Sequence, residues 1–163
     1  MILGMSLHAF TVFHVVLSLI GILTGFIVVF GMFGAKRMNG MTALFLLTTV
    51  LTDVTAFMFP NDHITPGIIL GIISSVFLVV AIVARYGLHL SGGARGIYAV
   101  TAVFSLYTNF FALIAQSFGK IPALHSLAPT GKEPPFFIAQ GIAVALFVVF
   151  AIIAAKKFHP ATN

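Results

Sequence analysis

Long apolar runs, broken by short polar turns, set the reading frame of this chain. The first run extends from about Leu7 to Phe33, and Lys36-Arg37 follows its end. Further runs cover about Met41–Phe59, Pro66–Leu88, Ala94–Phe118 and Phe136–Ala155. Each has the roughly 20 residues that a helix needs to cross a bilayer core. The runs are continuous, whereas barrel strands would alternate polar and apolar positions over about ten residues. The pattern therefore predicts an all-α membrane protein, a five-helix transmembrane bundle in one domain over residues 1–163.

Composition supports the same class. The chain is 60% hydrophobic and 7% charged. A water-facing surface would call for about 25% charged residues. Its net charge of +5 is read as helix-flanking charge that sets orientation, with the lipid bilayer as partner and no nucleic acid. Cysteine is absent, which excludes disulfides, thiolate metal sites, iron–sulfur clusters and thioether-linked haem.

The basic residues sort by side. Lys36, Arg37, Arg85, Arg95, Lys156 and Lys157 fall at one set of ends, against Lys120 and Lys132 at the other. By the positive-inside rule the N-terminus lies outside and the C-terminus inside. The start lacks Lys and Arg, so it does not read as a secretory signal peptide. Residues 119–135 form the longest outer loop, where Pro122–Leu127 suits a short interfacial helix and irregular loop equally. Thr130 and Glu133 have the spacing of a capping box before span five. Thr65-Pro66 fits an N-cap with proline at the first helical position.

Polar residues inside the spans carry the candidate chemistry. Asp53 sits within Thr48-Thr49-Val50-Leu51-Thr52-Asp53-Val54-Thr55. A carboxylate at such depth costs about 2.5–3.5 kcal/mol on insertion scales, so a partner, a ligand or protonation has to offset it. The threonines can bond the carbonyl four residues back, which hides their hydroxyls within the helix. On span one, Thr11, His14, Ser18, Gly21 and Gly25 form one stripe. Gly21/Gly25 and Gly67/Gly71 are small-xxx-small pairs that allow close helix approach, and Ala139/Ala143 offers another such face.

Helical rise places His14, Asp53, Asn109 and Gln140 about 6–14 Å from the outer ends of their spans. The four polar side chains share one layer on four helices. The expected site is a polar pocket opening outward, with His14 and Asp53 as its central pair and Tyr107, Asn109 and Gln140 around them. A direct His14–Asp53 hydrogen bond is the simplest pairing, and the same pair acting only as a packing lock is the competing reading.

Several functions fit that layer. One is a non-enzymatic accessory subunit of a larger membrane complex, or a homo-oligomer. A second is a binder of a small lipid-soluble, quinone-like molecule, for which a polar anchor in an apolar pocket is the usual requirement. A third is b-type haem, with His14 facing His63 or His125 folded down from a loop. A fourth is metal binding or proton handling at the outer face through His8, His14, His63 and His125. The inner half offers few polar steps, which disfavours conduction. An enzyme is not expected, because no HExxH, GxSxG or P-loop pattern occurs. Ser6 or Ser126 would complete a triad in composition only.

The run Met41-Thr42-Ala43-Leu44-Phe45-Leu46-Leu47-Thr48-Thr49-Val50-Leu51-Thr52 resembles a group of small bacterial polytopic inner-membrane proteins. So does Ile121-Pro122-Ala123-Leu124-His125-Ser126-Leu127-Ala128-Pro129, with the following Pro134-Pro135-Phe136. No activity attaches to that group. The resemblance implies a bacterial inner membrane and nothing about mechanism.

Overall fold

The computed structural model describes residues 1–161. Five of its helices are long and apolar enough to cross a membrane: α1 (Leu7–Phe33), α2 (Asn39–Phe57), α3 (Pro66–Ile82, continued by a π-turn over Val83–Gly87), α4 (Ala94–Lys120) and α6 (Pro134–Lys157). A one-turn helix, α5 (Pro122–His125), lies in the long loop, one of the two forms that the sequence allows there. No strand forms among the described residues.

The helix starts follow their capping chemistry. Ser6 Oγ accepts the Ala9 N–H at 3.2 Å, and Thr65 Oγ1 accepts the Ile68 N–H at 3.2 Å ahead of Pro66. Each satisfies a backbone donor that has no partner within its helix. α2 stops at Phe57, earlier than the apolar run, because Pro60 disfavours helical geometry in the residue before it. Phe59 is thereby turned out of the helix and packs against Phe10 and His14, at ring-centroid distances of 5.1 and 5.3 Å. Before α6 the capping box does not form. Glu133 is itself the N-cap residue, and its carboxylate turns back to the Thr130 N–H and hydroxyl. The helix starts at Pro134, earlier than predicted, because proline needs no N–H partner in a first turn.

Packing order decides where space remains. α1 packs on α2, α2 on α3, α3 on α4, and α4 returns to α1, while α6 lies outside this ring against α4 and α1. The end of the ring that carries Arg85 is filled. Phe45 of α2 and Leu106 of α4 meet over Gly25 of α1, where a Cβ would stand 2.8 Å from Phe45 Cε2 and 2.6 Å from Leu106 Cδ1. Val29, Met32, Tyr98, Ala99 and Ala102 continue this core. Phe26, Phe110 and Phe147 tie α6 to it through rings 5.4–5.8 Å apart.

Arg85 closes the filled end. It is 4% exposed, and its Nη2 donates to the Arg37 carbonyl at 2.9 Å and to Asn39 Oδ1 at 2.8 Å. Its guanidinium lies 5.1 Å from the Tyr98 ring centroid, a cation–π contact. One side chain thus joins α3, the α1–α2 turn and α4. The outward faces of α1, α3 and α6 expose Leu23, Phe30, Val76, Val79, Ile138 and Ile142. That surface suits lipid rather than water.

Candidate functional site

At the opposite end of the four-helix ring the centre is open. A cavity of about 360 Å³ lies between α1, α2, α3 and α4. Thr52 and Ala56 centre its α2 wall, Val15 and Leu19 its α1 wall, Ile68 and Gly71 its α3 wall, and Ala112 and Leu113 its α4 wall. Most of this surface is apolar. The polar groups that reach it include His14, Ser18, Asp53, Ser74 and Asn109, with Asn61, Thr65, Gln116 and Lys120 toward the loops.

His14 is held by α2. Its Nδ1 lies 2.7 Å from Thr55 Oγ1, while the same hydroxyl lies 2.7 Å from the Leu51 carbonyl and 3.0 Å from that of Thr52. A threonine hydroxyl has one proton, and carbonyls only accept. Thr55 therefore donates to its own helix and accepts from His14. The Nδ1 therefore carries a proton, and in the neutral form of the ring the lone pair lies on Nε2. Phe59 meets the ring edge-on at 87° and fixes its plane. Nε2 has no hydrogen-bond partner among the described residues, and His14 borders the cavity.

Asp53 is 8% exposed and turns toward α3. Ser75 Oγ donates to its Oδ2 at 3.3 Å. The direct His14–Asp53 bond expected from the sequence is not formed. The physical reason is helical phase: Asp53 and Thr55 are two residues apart and point to opposite flanks of α2. Asp53 meets the α3 flank and Thr55 meets α1, so His14 and Asp53 border one cavity from its two sides.

Asn109 bridges α4 to α1, where Ser18 Oγ donates to its Oδ1 at 2.7 Å. Its amide Nδ2 is buried without a partner and lies against Gly21. A Cβ at Gly21 would stand 3.2 Å from that nitrogen and 3.3 and 3.4 Å from the Thr48 and Thr49 hydroxyl oxygens. The small residue permits polar groups of three helices to converge there. The Gly21/Gly25 stripe is thus a packing seam, and Gly71 likewise receives the Phe57 ring, with 3.1 Å to a Cβ.

Tyr107 and Gln140 do not border the cavity. Tyr107 is two positions from Asn109 and therefore faces the other side of α4. There it lines a small apolar groove of about 40 Å³ with Phe104, Val144 and Phe147. Gln140 Nε2 donates to the Phe111 carbonyl at 3.2 Å across the α4–α6 contact.

The outer histidines also stay apart. His8, His63 and His125 are exposed, and none borders the cavity. Among the described residues no three His, Asp, Glu or Cys side chains gather as a metal-ligand group. A second axial imidazole facing His14 is not provided by His63 or His125, so these residues do not fit b-type haem. The sequence reading missed Thr55 as the partner of His14, Ser75 as the partner of Asp53, and Lys120 at the mouth. The signal for Thr55 was present: a back-bonded threonine still offers oxygen lone pairs to a neighbouring helix.

None of the family models, curated proteins and solved structures compared with this chain matches it.

Proposed function

We propose that this protein is a non-enzymatic membrane protein that holds a small lipid-soluble, quinone-like molecule between α1, α2, α3 and α4. The observation that carries this reading is the 360 Å³ cavity with apolar walls and a few converging polar groups. That volume lies in the range of small-molecule sites, about 300–1,000 Å³, and such sites use few polar groups to orient a mostly apolar ligand. The filled Arg85 end, closed by Phe45 and Leu106, argues against a path through the bundle.

The charge distribution supports an orientation with the N-terminus outside and the C-terminus inside. In that orientation the cavity opens to the outer face. With the resemblance noted above, the reading places the protein in a bacterial inner membrane, with the bilayer as its immediate partner.

The test is chemical. The protein is purified in mild detergent, its organic extract is analysed by mass spectrometry, and the same is done for Ala112→Trp, which projects an indole into the cavity. The reading expects a stoichiometric lipid-soluble aromatic molecule in the wild type and its loss in a folded variant. Equal extracts from both would overturn it.

A further inference from the structure

We infer that the seam between α1 and α6 seats an anionic phospholipid, its acyl chains along an aromatic stripe and its phosphate at Lys36 and Lys157. The site is separate from the cavity and does not depend on what the cavity holds. Phe26, Phe30 and Phe33 follow one another at spacings of four and three, so they share a face of α1. Phe150 of α6 meets Phe30 and Phe33 at ring-centroid distances of 5.7 and 5.8 Å, and Phe26 stacks on Phe30 at 6.0 Å. Phe30 is still 53% exposed, so no part of the described chain covers the stripe. Rings that already hold one another have little rotamer freedom left to lose when a chain lies over them. From Phe26 to Phe33 the stripe rises about 10 Å along the helix, a length that suits an extended acyl chain.

The stripe runs into cations at the Arg85 end. Gly34 lies four positions after Phe30, and the Lys36 stem passes over it, with Cε 3.8 Å from where a Gly34 Cβ would stand. Lys157 comes seven positions after Phe150, two turns on and on the same face of α6. Both lysines are exposed. The chain has three acidic side chains, and all lie elsewhere: Asp53 is bonded to Ser75, Glu133 to Thr130, and Asp62 stands in the α2–α3 loop. No acidic side chain therefore balances Lys36 and Lys157. An amphiphile with apolar chains and an anionic head complements both halves of this surface. A zwitterionic phospholipid brings an ammonium to the same lysines, and free phosphate leaves the stripe bare. Basic groups at headgroup level attract anionic lipid by about fivefold each.

The test is native mass spectrometry of the full chain in mild detergent, with equimolar phosphatidylglycerol and phosphatidylcholine, and thermal melting in parallel. The expected result is retention of phosphatidylglycerol over phosphatidylcholine by about tenfold or more, the scale of two such lysines. Lys36→Gln combined with Lys157→Gln should bring the two lipids level without lowering the lipid-free melting temperature. Lys132→Gln, in the loop at the other end, should leave the preference intact. Dihexanoyl phosphatidylglycerol has the same head on short chains and should be retained several-fold less. Equal retention of the two long-chain lipids would overturn the inference. So would a preference that survives the double substitution, since the phosphate would then lie away from the seam. Equal retention of the short-chain lipid would reduce the site to head-group attraction and overturn the role of the stripe. A dimer without lipid adducts would give the seam to a second copy of the chain and overturn the inference.

Discussion

His14 Nδ1 and Thr55 Oγ1 lie 2.7 Å apart, on helices whose residues are 41 positions apart in the chain. The Thr55 proton is already directed to the Leu51 carbonyl, so this contact fixes which imidazole nitrogen carries hydrogen. Nitrogen-15 spectra of histidine-labelled protein should show His14 as the Nδ1–H tautomer. Thr55→Val should move that resonance pair toward a mixed population, and an unchanged spectrum would refute the assignment.

Asp53→Leu separates two accounts of the carboxylate. Were it half of a buried ion pair, its loss would cost roughly 3–5 kcal/mol through the unpaired partner. Here its partner is a serine hydroxyl, which can turn to a carbonyl of its own helix. The variant should therefore melt no lower than wild type in detergent, insert more readily, and lose ligand. A substantial drop in melting temperature would show a buried pair.

Gly21 should tolerate no bulk. Gly21→Leu has to displace Asn109, Thr48 and Thr49 from contacts already at 3.2–3.4 Å of a Cβ, and overpacking of this kind costs about 1–3 kcal/mol. Gly141 on α6 has nothing within 4 Å of a Cβ, so Gly141→Ala should be neutral or gain about 0.5–1 kcal/mol. Parallel unfolding curves for the two variants check the contrast.

Arg85→Leu removes two charge-assisted donors from the Arg37 carbonyl and Asn39. Loss of such bonds costs about 1.5–3 kcal/mol. Equilibrium unfolding in mixed micelles should register that loss, and protease should cut the 34–38 turn sooner. Wild-type stability would mean that the bonds contribute nothing net.

The loop before α6 should loosen in acid. Glu133 accepts from the Thr130 hydroxyl and N–H and from the Lys132 N–H, which holds its carboxyl below the usual range. Such a lowered group contributes order above its unfolded pKa and loses it as pH falls through its folded pKa. Amide exchange at Thr130 and Lys132 should be slow at neutral pH and rise in that acidic window. Glu133→Gln should abolish the pH dependence, and a flat wild-type profile would refute the contact.

The sequence by itself determined the spans. An apolar run in a bilayer must satisfy its backbone internally, and Pro60 and Thr65-Pro66 mark where runs turn. It also marked Gly21 and Gly25 as sites of close approach, and placed His14, Asp53 and Asn109 in one layer. Only the tertiary structure decided how that layer is divided. Depth follows from counting residues, but azimuth depends on how each helix is rotated against its neighbours. Tyr107 and Gln140 share the depth and face α4–α6, while Thr55, Ser75 and Lys120 complete the cavity. Rotation is set by packing contacts such as Phe45 and Leu106 over Gly25, between residues far apart in the chain, and a single helix carries no record of them.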